Sequence, residues 1–245
     1  PLRRQRQMCI RDRDKGFNIY SGVPCSYLKS FINYIIDSDD ISYIPAASEG
    51  DAIGIAAGSY LGGRSPVVML QNSGLGNTVN PITSLLQTFK IPVLIIVTLR
   101  GDPSAPADEP QHQLMGKITT DLLELMGLEW DWFPESRKEL DLKLEKASAR
   151  IHQDKCSFVM VMKQGAVEPY ELHSGGIENH REDQIIQDNI YQDDEVTREE
   201  VLLSILDHTS DQDLLIATTG YTGRELYSLK DQPNNFYMVG SMGCA

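Results

Sequence analysis

Short runs of β-branched and other apolar residues alternate with amphipathic stretches between Phe17 and Lys163. Apolar residues recur from Leu28 to Ile36 at the spacing of one helix face, and Glu139–Ile151 is rich in helix-forming residues. Strands that alternate with helices are typical of an α/β fold, a parallel sheet with helices on both faces. The predicted strands are Phe17–Tyr20, Ile41–Ile44, Val67–Gln71, Val93–Leu99, Glu129–Phe133 and Phe158–Lys163.

The pattern changes after Gln164. The following stretch is rich in Asp, Glu, Gln and Asn, contains the pair Gly175-Gly176, and is typical of a solvated linker. A Thr-Arg-Glu-Glu run at Thr197 predicts a capping box that begins a helix. A strand Leu214–Thr218, a helix from about Gly223 and a strand Phe236–Val239 follow. The predicted organisation is a first domain at 14–165, a linker at 166–196 and an incomplete α/β domain at 197–245.

Both ends of the chain carry unusual features. The run from Met8 to Arg13 resembles a translated sequencing adaptor, so we expect residues 1–13 to be a non-native leader. The sequence stops at Ala245 inside a predicted strand-to-helix turn, so we expect a second domain that is cut short.

Composition narrows the class of protein. The formal net charge of −13 over 245 residues disfavours nucleic acid as a partner, which would need a basic face. The longest apolar run, Ile91–Leu99, is too short to span a bilayer. The four cysteines form no C-x-x-C pair, which favours reduced thiols in a cytoplasmic protein over disulfides or a zinc site.

Ligands of open α/β sheets bind beyond the carboxyl ends of the strands. Glu49 follows the second predicted strand and precedes a helix of small residues; a carboxylate there suits either a functional site or the helix dipole. The turn at 71–77 follows the third strand, and its glycines and amides suit either an anion or a tight capped turn. The loop 100–116 follows the fourth strand and contains His112, a candidate functional residue or an ordinary surface histidine.

In the second domain, the segment 217–225 also joins a strand end to a helix start. Its hydroxyls and free backbone N–H groups suit a phosphate, although a simple Ser/Thr helix cap has the same pattern. The turn at 240–243 follows the last predicted strand, and its glycines allow close backbone approach.

In this order, these segments resemble the thiamine-diphosphate-dependent decarboxylase superfamily, and within it the phosphonopyruvate branch. The resemblance implies a pyrimidine-binding first domain, a diphosphate-binding second domain, and at least a homodimer that binds the cofactor between subunits. The motifs that carry the resemblance are GVPCS at 22–26, QNSGLGN at 71–77, DEPQH at 108–112, TTGYTGREL at 218–226 and GSMG at 240–243.

The resemblance also implies roles for single residues. Glu49 would hydrogen-bond the aminopyrimidine ring and move a proton there, and His112 would relay a proton or contact substrate. The implied cofactor contacts are Glu49, Thr219, Gly220, Tyr221, Thr222, Gly240, Ser241 and Met242. The implied substrate contacts are Cys25, Ser26, Asn72, Ser73 and His112. The Gly-Asp-Gly to Asn motif that would bind Mg²⁺ is expected beyond Ala245.

The implied reaction is the decarboxylation of a small 2-oxo acid, 3-phosphonopyruvate, to phosphonoacetaldehyde and CO₂ through a thiamine diphosphate ylide. It would serve phosphonate biosynthesis of the 2-aminoethylphosphonate type. Two alternatives stay open at this point: a sulfopyruvate decarboxylase, or a chain that is itself a non-catalytic dimerising fragment.

Overall fold

The computed structural model describes residues 16–174, 196–218 and 220–239, which form two compact units. The first unit contains one six-stranded sheet in which every strand pair is parallel, with the order β2-β1-β3-β4-β6-β5. All six predicted strands are confirmed, each within two residues of its predicted bounds. The strands are β1 Phe17–Gly22, β2 Ser42–Pro45, β3 Ser65–Gln71, β4 Leu94–Thr98, β5 Glu129–Trp132 and β6 Phe158–Met162.

Helices connect the strands and cover the sheet. The α-helices of this unit are α1 Lys29–Ile36, α2 Glu49–Leu61, α3 Gln113–Leu125 and α4 Arg137–His152. Two 3₁₀ segments, Asn72–Thr78 and Pro110–His112, and one π-helical segment, Pro81–Leu86, lie in the longer connections. The predicted α/β class is confirmed.

The central strands β4 and β6 have continuous apolar sequences because they are buried in the core. All five residues of β4 are buried, as are all five of β6. Leu94 and Ile96 pack in one cluster with side chains of α1 and α4. Ile95 and Val97 are equally buried, and because side chains alternate along a strand they face the other side of the sheet.

The strand order creates a reversal at β1. The chain passes from β1 to β2 on one side and returns to β3 on the other, so a crevice is expected at the carboxyl ends of β1 and β3. Gly22 ends β1, and a Cβ there would lie 1.9 Å from the Met69 carbonyl oxygen of β3. Glycine is therefore required for the approach of the two strands at this point.

Part of the predicted linker packs on the first unit. Asn33 of α1 donates to the Tyr170 carbonyl at 3.0 Å, and the Tyr170 N–H donates to Ser30 Oγ at 3.2 Å. The N–H groups of His173 and Ser174 donate to Asp37 at 2.9 and 2.8 Å. Residues 166–174 thus belong to the first unit because their main-chain groups are bonded, a feature that composition does not reveal; the rest of the predicted linker, 175–195, lies outside the described ranges.

The two hydrogen bonds that Asp37 accepts from His173 and Ser174, here called the Asp37 latch, are expected to break at acid pH. Hydrogen bonds from Ser174, the larger cause, and from His173 lower the pKa of Asp37 to about 2. Because that pKa is below its value in an unfolded chain, the latch is intact above about pH 4 and is lost as the pH falls toward 2. We expect Asp37→Asn to speed amide hydrogen exchange of His173 and Ser174 at neutral pH. Asp39→Asn, an exposed neighbour, is the control, and unchanged exchange in Asp37→Asn would contradict the latch.

The second unit is small. It contains α5 Arg198–His208, β7 Leu215–Thr218, α6 Tyr221–Leu229 and β8 Asn235–Val239, and β7 pairs with β8 in parallel. The predicted capping box is confirmed: Thr197 Oγ1 accepts the Glu200 N–H at 3.2 Å, and Glu200 accepts the Thr197 N–H at 2.8 Å. Throughout the three described ranges, no helix has the length and apolar character needed to cross a bilayer.

Candidate active site

The predicted first-unit site residues gather at one edge of the sheet. Cys25 and Ser26 follow β1, Glu49 follows β2, Asn72 and Ser73 follow β3, and His112 lies in the long connection after β4. Because the strands are parallel, all these connections leave from the carboxyl edge. The topology therefore brings these predicted residues to the same side of the molecule.

Glu49 is the first residue of α2. Ser48 is the N-cap, and its hydroxyl accepts the Asp51 N–H at 3.2 Å, which defines the start of the helix. The free N–H groups of the first turn favour a carboxylate there. The Glu49 side chain is half-buried, so it is neither enclosed in the core nor open to solvent.

The Glu49 carboxylate lies against the turn after β3. A Cβ on Gly74 would be 2.0 Å from Glu49 Oε1 and 2.1 Å from its carboxyl carbon, so only glycine leaves room for this side chain. Asn77 Nδ2 donates to Oε2 at 2.8 Å. Oε1 accepts no hydrogen bond from any residue described in the structure, so one oxygen is anchored and the other is available.

Asn72 links the turn after β3 to the loop after β4. Its Nδ2 donates to the Arg100 carbonyl at 2.9 Å and to Thr119 Oγ1 at 3.0 Å, and its Oδ1 accepts the Arg100 N–H at 3.1 Å. The side chain is fully buried. These hydrogen bonds of Asn72 tie β3 to the loop after β4 and to α3. Its contact with substrate stays a prediction. Thr119, its partner, was not predicted.

His112 is buried, with 8% of its surface exposed. Its Nε2 lies 3.7 Å from Glu109 Oε2, whereas its buried Nδ1 has no hydrogen-bond partner among the residues described. A buried polar atom without a partner costs about 1–3 kcal/mol, and native structures contain few of them. His112 is therefore not the ordinary surface histidine that the pattern left open.

The loop that carries His112 is closed at its base by glycines. Gly101 has φ +70°, and a Cβ there would lie 2.2 Å from the His112 carbonyl oxygen. A Cβ on Gly116 would lie 1.8 Å from the Gly101 carbonyl oxygen. Backbone contact at these two points determines where His112 lies relative to the end of β4.

An ion pair between Arg100 and Asp108 also holds together the base of the loop that carries His112. Arg100 Nε and Nη2 each donate to Asp108 at 2.7 Å, and the N–H groups of Gly101 and Glu109 donate to the same carboxylate at 3.1 and 2.8 Å. The hydrogen bonds from Arg100 hold the pKa of Asp108 well below its usual range. The pair was not predicted, although Asp108 belongs to the DEPQH motif, because pairing across a loop has no periodic signal.

The remaining predicted substrate contacts lie nearby. Cys25 Sγ is 3.7 Å from Thr98 Oγ1 at the end of β4, and the exposed Ser26 hydroxyl is 3.5 Å from Arg100 Nη1. Ser73 is exposed and accepts a hydrogen bond from Gln71 Nε2. Their contact with substrate stays a prediction.

In the second unit, Gly220 is the N-cap of α6 with φ +122°, a conformation that favours glycine. Tyr221, the first helical residue, is 70% exposed, and Thr222 is half-buried. The helix therefore begins with a bare backbone turn of the kind that binds anions. The predicted contacts Thr219, Gly240, Ser241 and Met242 lie outside the described ranges.

Comparison with known proteins places the chain. The family described as "Thiamine pyrophosphate enzyme, N-terminal TPP binding domain" matches residues 12–124. The sulfopyruvate decarboxylase subunit alpha of Methanococcus maripaludis is 44% identical over 117 residues, which are 47% of this chain and 68% of that protein. The chain belongs to the thiamine pyrophosphate enzyme family.

Two further comparisons extend the similarity. The phosphonopyruvate decarboxylase of Streptomyces viridochromogenes is 37% identical over 235 residues, which are 94% of this chain and 58% of that protein. The chain thus spans less than two thirds of that relative. The crystal structure of benzoylformate decarboxylase from Polynucleobacter necessarius has a TM-score of 0.53 at 16% identity, covers 88% of this chain and 38% of its own, and agrees in fold.

The first unit contains groups that fit the cofactor for which the family is named. A carboxylate with one unbonded oxygen suits a ring that carries hydrogen-bond donors, and Gly74 removes the side chain that would displace that carboxylate. The described ranges contain no group of three or more His, Cys, Asp or Glu residues that could bind a metal. The magnesium motif beyond Ala245 stays a prediction.

Proposed function

We propose that the protein that contains this chain decarboxylates 3-phosphonopyruvate to phosphonoacetaldehyde and CO₂ with thiamine diphosphate and Mg²⁺. The reaction would belong to phosphonate biosynthesis of the 2-aminoethylphosphonate type. The observation that carries the proposal is the Glu49 carboxylate, bonded by Asn77 and packed on Gly74 beside the reversal of the sheet. Similarity to a phosphonopyruvate decarboxylase over 94% of this chain supports the substrate.

Thiamine diphosphate supplies, when bound, an electron sink for the bond that loses CO₂. Glu49 would bind the aminopyrimidine ring through Oε1 and exchange a proton with a ring nitrogen. Asn77 holds Oε2, so the proton-carrying oxygen is the one left without a partner. The Glu49 side chain is partly buried, which limits its contact with bulk water.

Further roles are proposed for His112 in the first unit and for the start of α6 in the second. His112, whose buried Nδ1 has no hydrogen-bond partner among the residues described, would relay a proton or contact substrate. Gly220, Tyr221 and Thr222 would bind the diphosphate through the start of α6. We propose Thr219, Gly240, Ser241 and Met242 as the other cofactor contacts, and Mg²⁺ as the metal that would accompany the diphosphate.

The proposal extends to assembly and location. We infer at least a homodimer, because members of this superfamily bind the cofactor between subunits, and a relative of this chain is itself named as a subunit. The acidic charge of −13 and the scattered cysteines support a cytoplasmic enzyme without a nucleic-acid partner.

The substrate is tested by comparing 2-oxo acids. We expect the intact protein with thiamine diphosphate and Mg²⁺ to release CO₂ from 3-phosphonopyruvate with a higher kcat/KM than from sulfopyruvate or pyruvate. Quantifying phosphonoacetaldehyde by ³¹P NMR identifies the product.

Two results would overturn the proposal at different levels. A preference for sulfopyruvate would replace the substrate and favour the second candidate, which the 44% identity to a sulfopyruvate decarboxylase subunit already supports. Failure to release CO₂ from any of the three acids would remove the decarboxylase function itself.

A further inference from the structure

An open cavity of about 750 Å³ lies at the carboxyl edge of the first unit, beside the loop 100–108. It lies where the chain leaves β1, β4 and β6, and two of its lining side chains are cations. The lining residues that matter below are Ser26, Tyr27, Arg100, Asp102, Asp108 and Lys163.

The Arg100 guanidinium is held in one orientation. Asp108 binds its Nε and Nη2 edge, and the plane lies over the Tyr27 ring with 4.9 Å between the guanidinium carbon and the ring centroid. A guanidinium has five N–H groups, and Asp108 uses two of them. The other three N–H groups belong to Nη1, which donates to Ser26 Oγ at 3.5 Å, and to Nη2, so donors in a fixed orientation are left beside the cavity.

Lys163 brings a second cation to the same cavity. Its ammonium lies 3.2 Å from Asp102 Oδ2, 3.5 Å from Ser104 Oγ and 4.7 Å from the centre of the Trp132 ring. The Lys163 side chain is 43% exposed, whereas that of Asp102 is 12% exposed. The cation is therefore more accessible than the carboxylate that it pairs with.

The two carboxylates in the cavity do not exclude an anion. Asp108 accepts four N–H groups, and Asp102 accepts the N–H and hydroxyl of Ser104 as well as binding Lys163. Both carboxylates are therefore already hydrogen-bonded and paired with a cation. The unused donors of Arg100 and Lys163 are what an approaching ligand meets.

We propose that Arg100, oriented by Asp108, binds the phosphonate group of the substrate, with Lys163 and Ser26 as secondary contacts. This deepens the proposed function and rests on it. A planar guanidinium matches the oxygens of a phosphonate in a two-point contact. The carboxylate that departs as CO₂ is then left without a strong cation partner. Binding energy gained at the phosphonate therefore does not stabilise the group that must leave.

The test compares substrates with and without the distal anion. In the intact protein, we expect Arg100→Gln to lower kcat/KM for 3-phosphonopyruvate by about 10- to 100-fold while changing kcat/KM for pyruvate little. Lys163→Gln is expected to act in the same direction with a smaller factor. Arg64→Gln is the matched control: Arg64 is exposed, follows α2 at the opposite edge of the sheet, and hydrogen-bonds Asn18.

A purely structural role for Arg100 gives a different result. If Arg100 served only to close the loop with Asp108, Arg100→Gln would lower kcat/KM for 3-phosphonopyruvate and for pyruvate alike. Arg100→Lys, which keeps the charge but loses the planar pair of donors, would then lower both values by the same factors as Arg100→Gln. Equal losses for the two substrates, or no loss for 3-phosphonopyruvate, would overturn the proposal.

A binding measurement separates this inference from the proposed function. We expect ³¹P NMR titration with methylphosphonate to show binding to the wild-type protein and to Arg64→Gln but much weaker binding to Arg100→Gln. Equal binding to all three proteins, or none to wild type, would refute the Arg100 site whatever the enzyme's activity. If Arg100-dependent binding occurs and no 2-oxo acid is decarboxylated, the site stands and the proposed reaction falls.

Discussion

Glu49→Gln is expected to lower kcat of the intact protein by about 10²- to 10⁴-fold, the range typical of losing an acid–base group. Glutamine has nearly the same size, and its carbonyl oxygen can still accept the hydrogen bond from Asn77 Nδ2. It cannot hold or release the proton that the carboxylate exchanges with the cofactor ring. The fold should be retained, because the side chain is half-buried and its helix is capped by Ser48 rather than by Glu49.

Asp51→Asn is the control for charge in the same helical turn. Asp51 is also an acidic residue of the first turn of α2, so it tests whether a lost helix-dipole interaction alone reduces turnover. We expect it to leave kcat nearly unchanged and to change thermal stability as much as Glu49→Gln does. Near-normal turnover of Glu49→Gln would remove Glu49 from the mechanism.

Gly74→Ala is expected to lower kcat to a similar extent although Gly74 itself has no reactive group. The added methyl would occupy a position 2.0 Å from Glu49 Oε1. The obstacle is the end of a flexible side chain rather than backbone, so the carboxylate moves and the fold survives. The expected result is a folded protein, by circular dichroism and thermal unfolding, with a displaced Glu49 and little turnover.

Two further variants make this result specific. Gly76→Ala is the matched control in the same turn, because a Cβ built there has no atom within 4 Å apart from Gly76 itself and its chain neighbours. It should keep nearly full activity. Adding Gly74→Ala to Glu49→Gln should reduce kcat no further, since residues that act through one another are not additive. Full activity of Gly74→Ala, or a fully additive double variant, would contradict this coupling.

Hydrophobic patterning was sufficient to predict the parallel sheet. Runs such as Leu94–Thr98 are buried on both faces, which favours apolar residues along the whole strand. Such a strand can be predicted from its own residues, without knowledge of the strands beside it. The capping box of Thr197 and Glu200 is equally local, because its bonds join residues three apart. The placement of Glu49 after a strand and at a helix start follows from the same local patterns.

The partners of the site residues were not predictable in this way. Glu49 meets Asn77, and Asn72 meets Arg100, across 28 residues of chain in each case. These bonds join side chains to groups in irregular turns, where no periodicity marks which atoms will face each other. The same holds for the latch between Asp37 and Ser174, in a segment whose polar composition indicated a linker.

Residue order alone predicts the α/β class, the strands and the family resemblance, because burial on both faces of a strand and local capping leave direct patterns in the sequence. The folded structure is needed to show that Asn72 is buried and bonded to Arg100 and Thr119. It also shows that Gly74 makes room for Glu49, and that Arg100 lines a cavity together with Lys163. Those features depend on distances between separate loops, which exist only once the parallel strands have brought their carboxyl ends together.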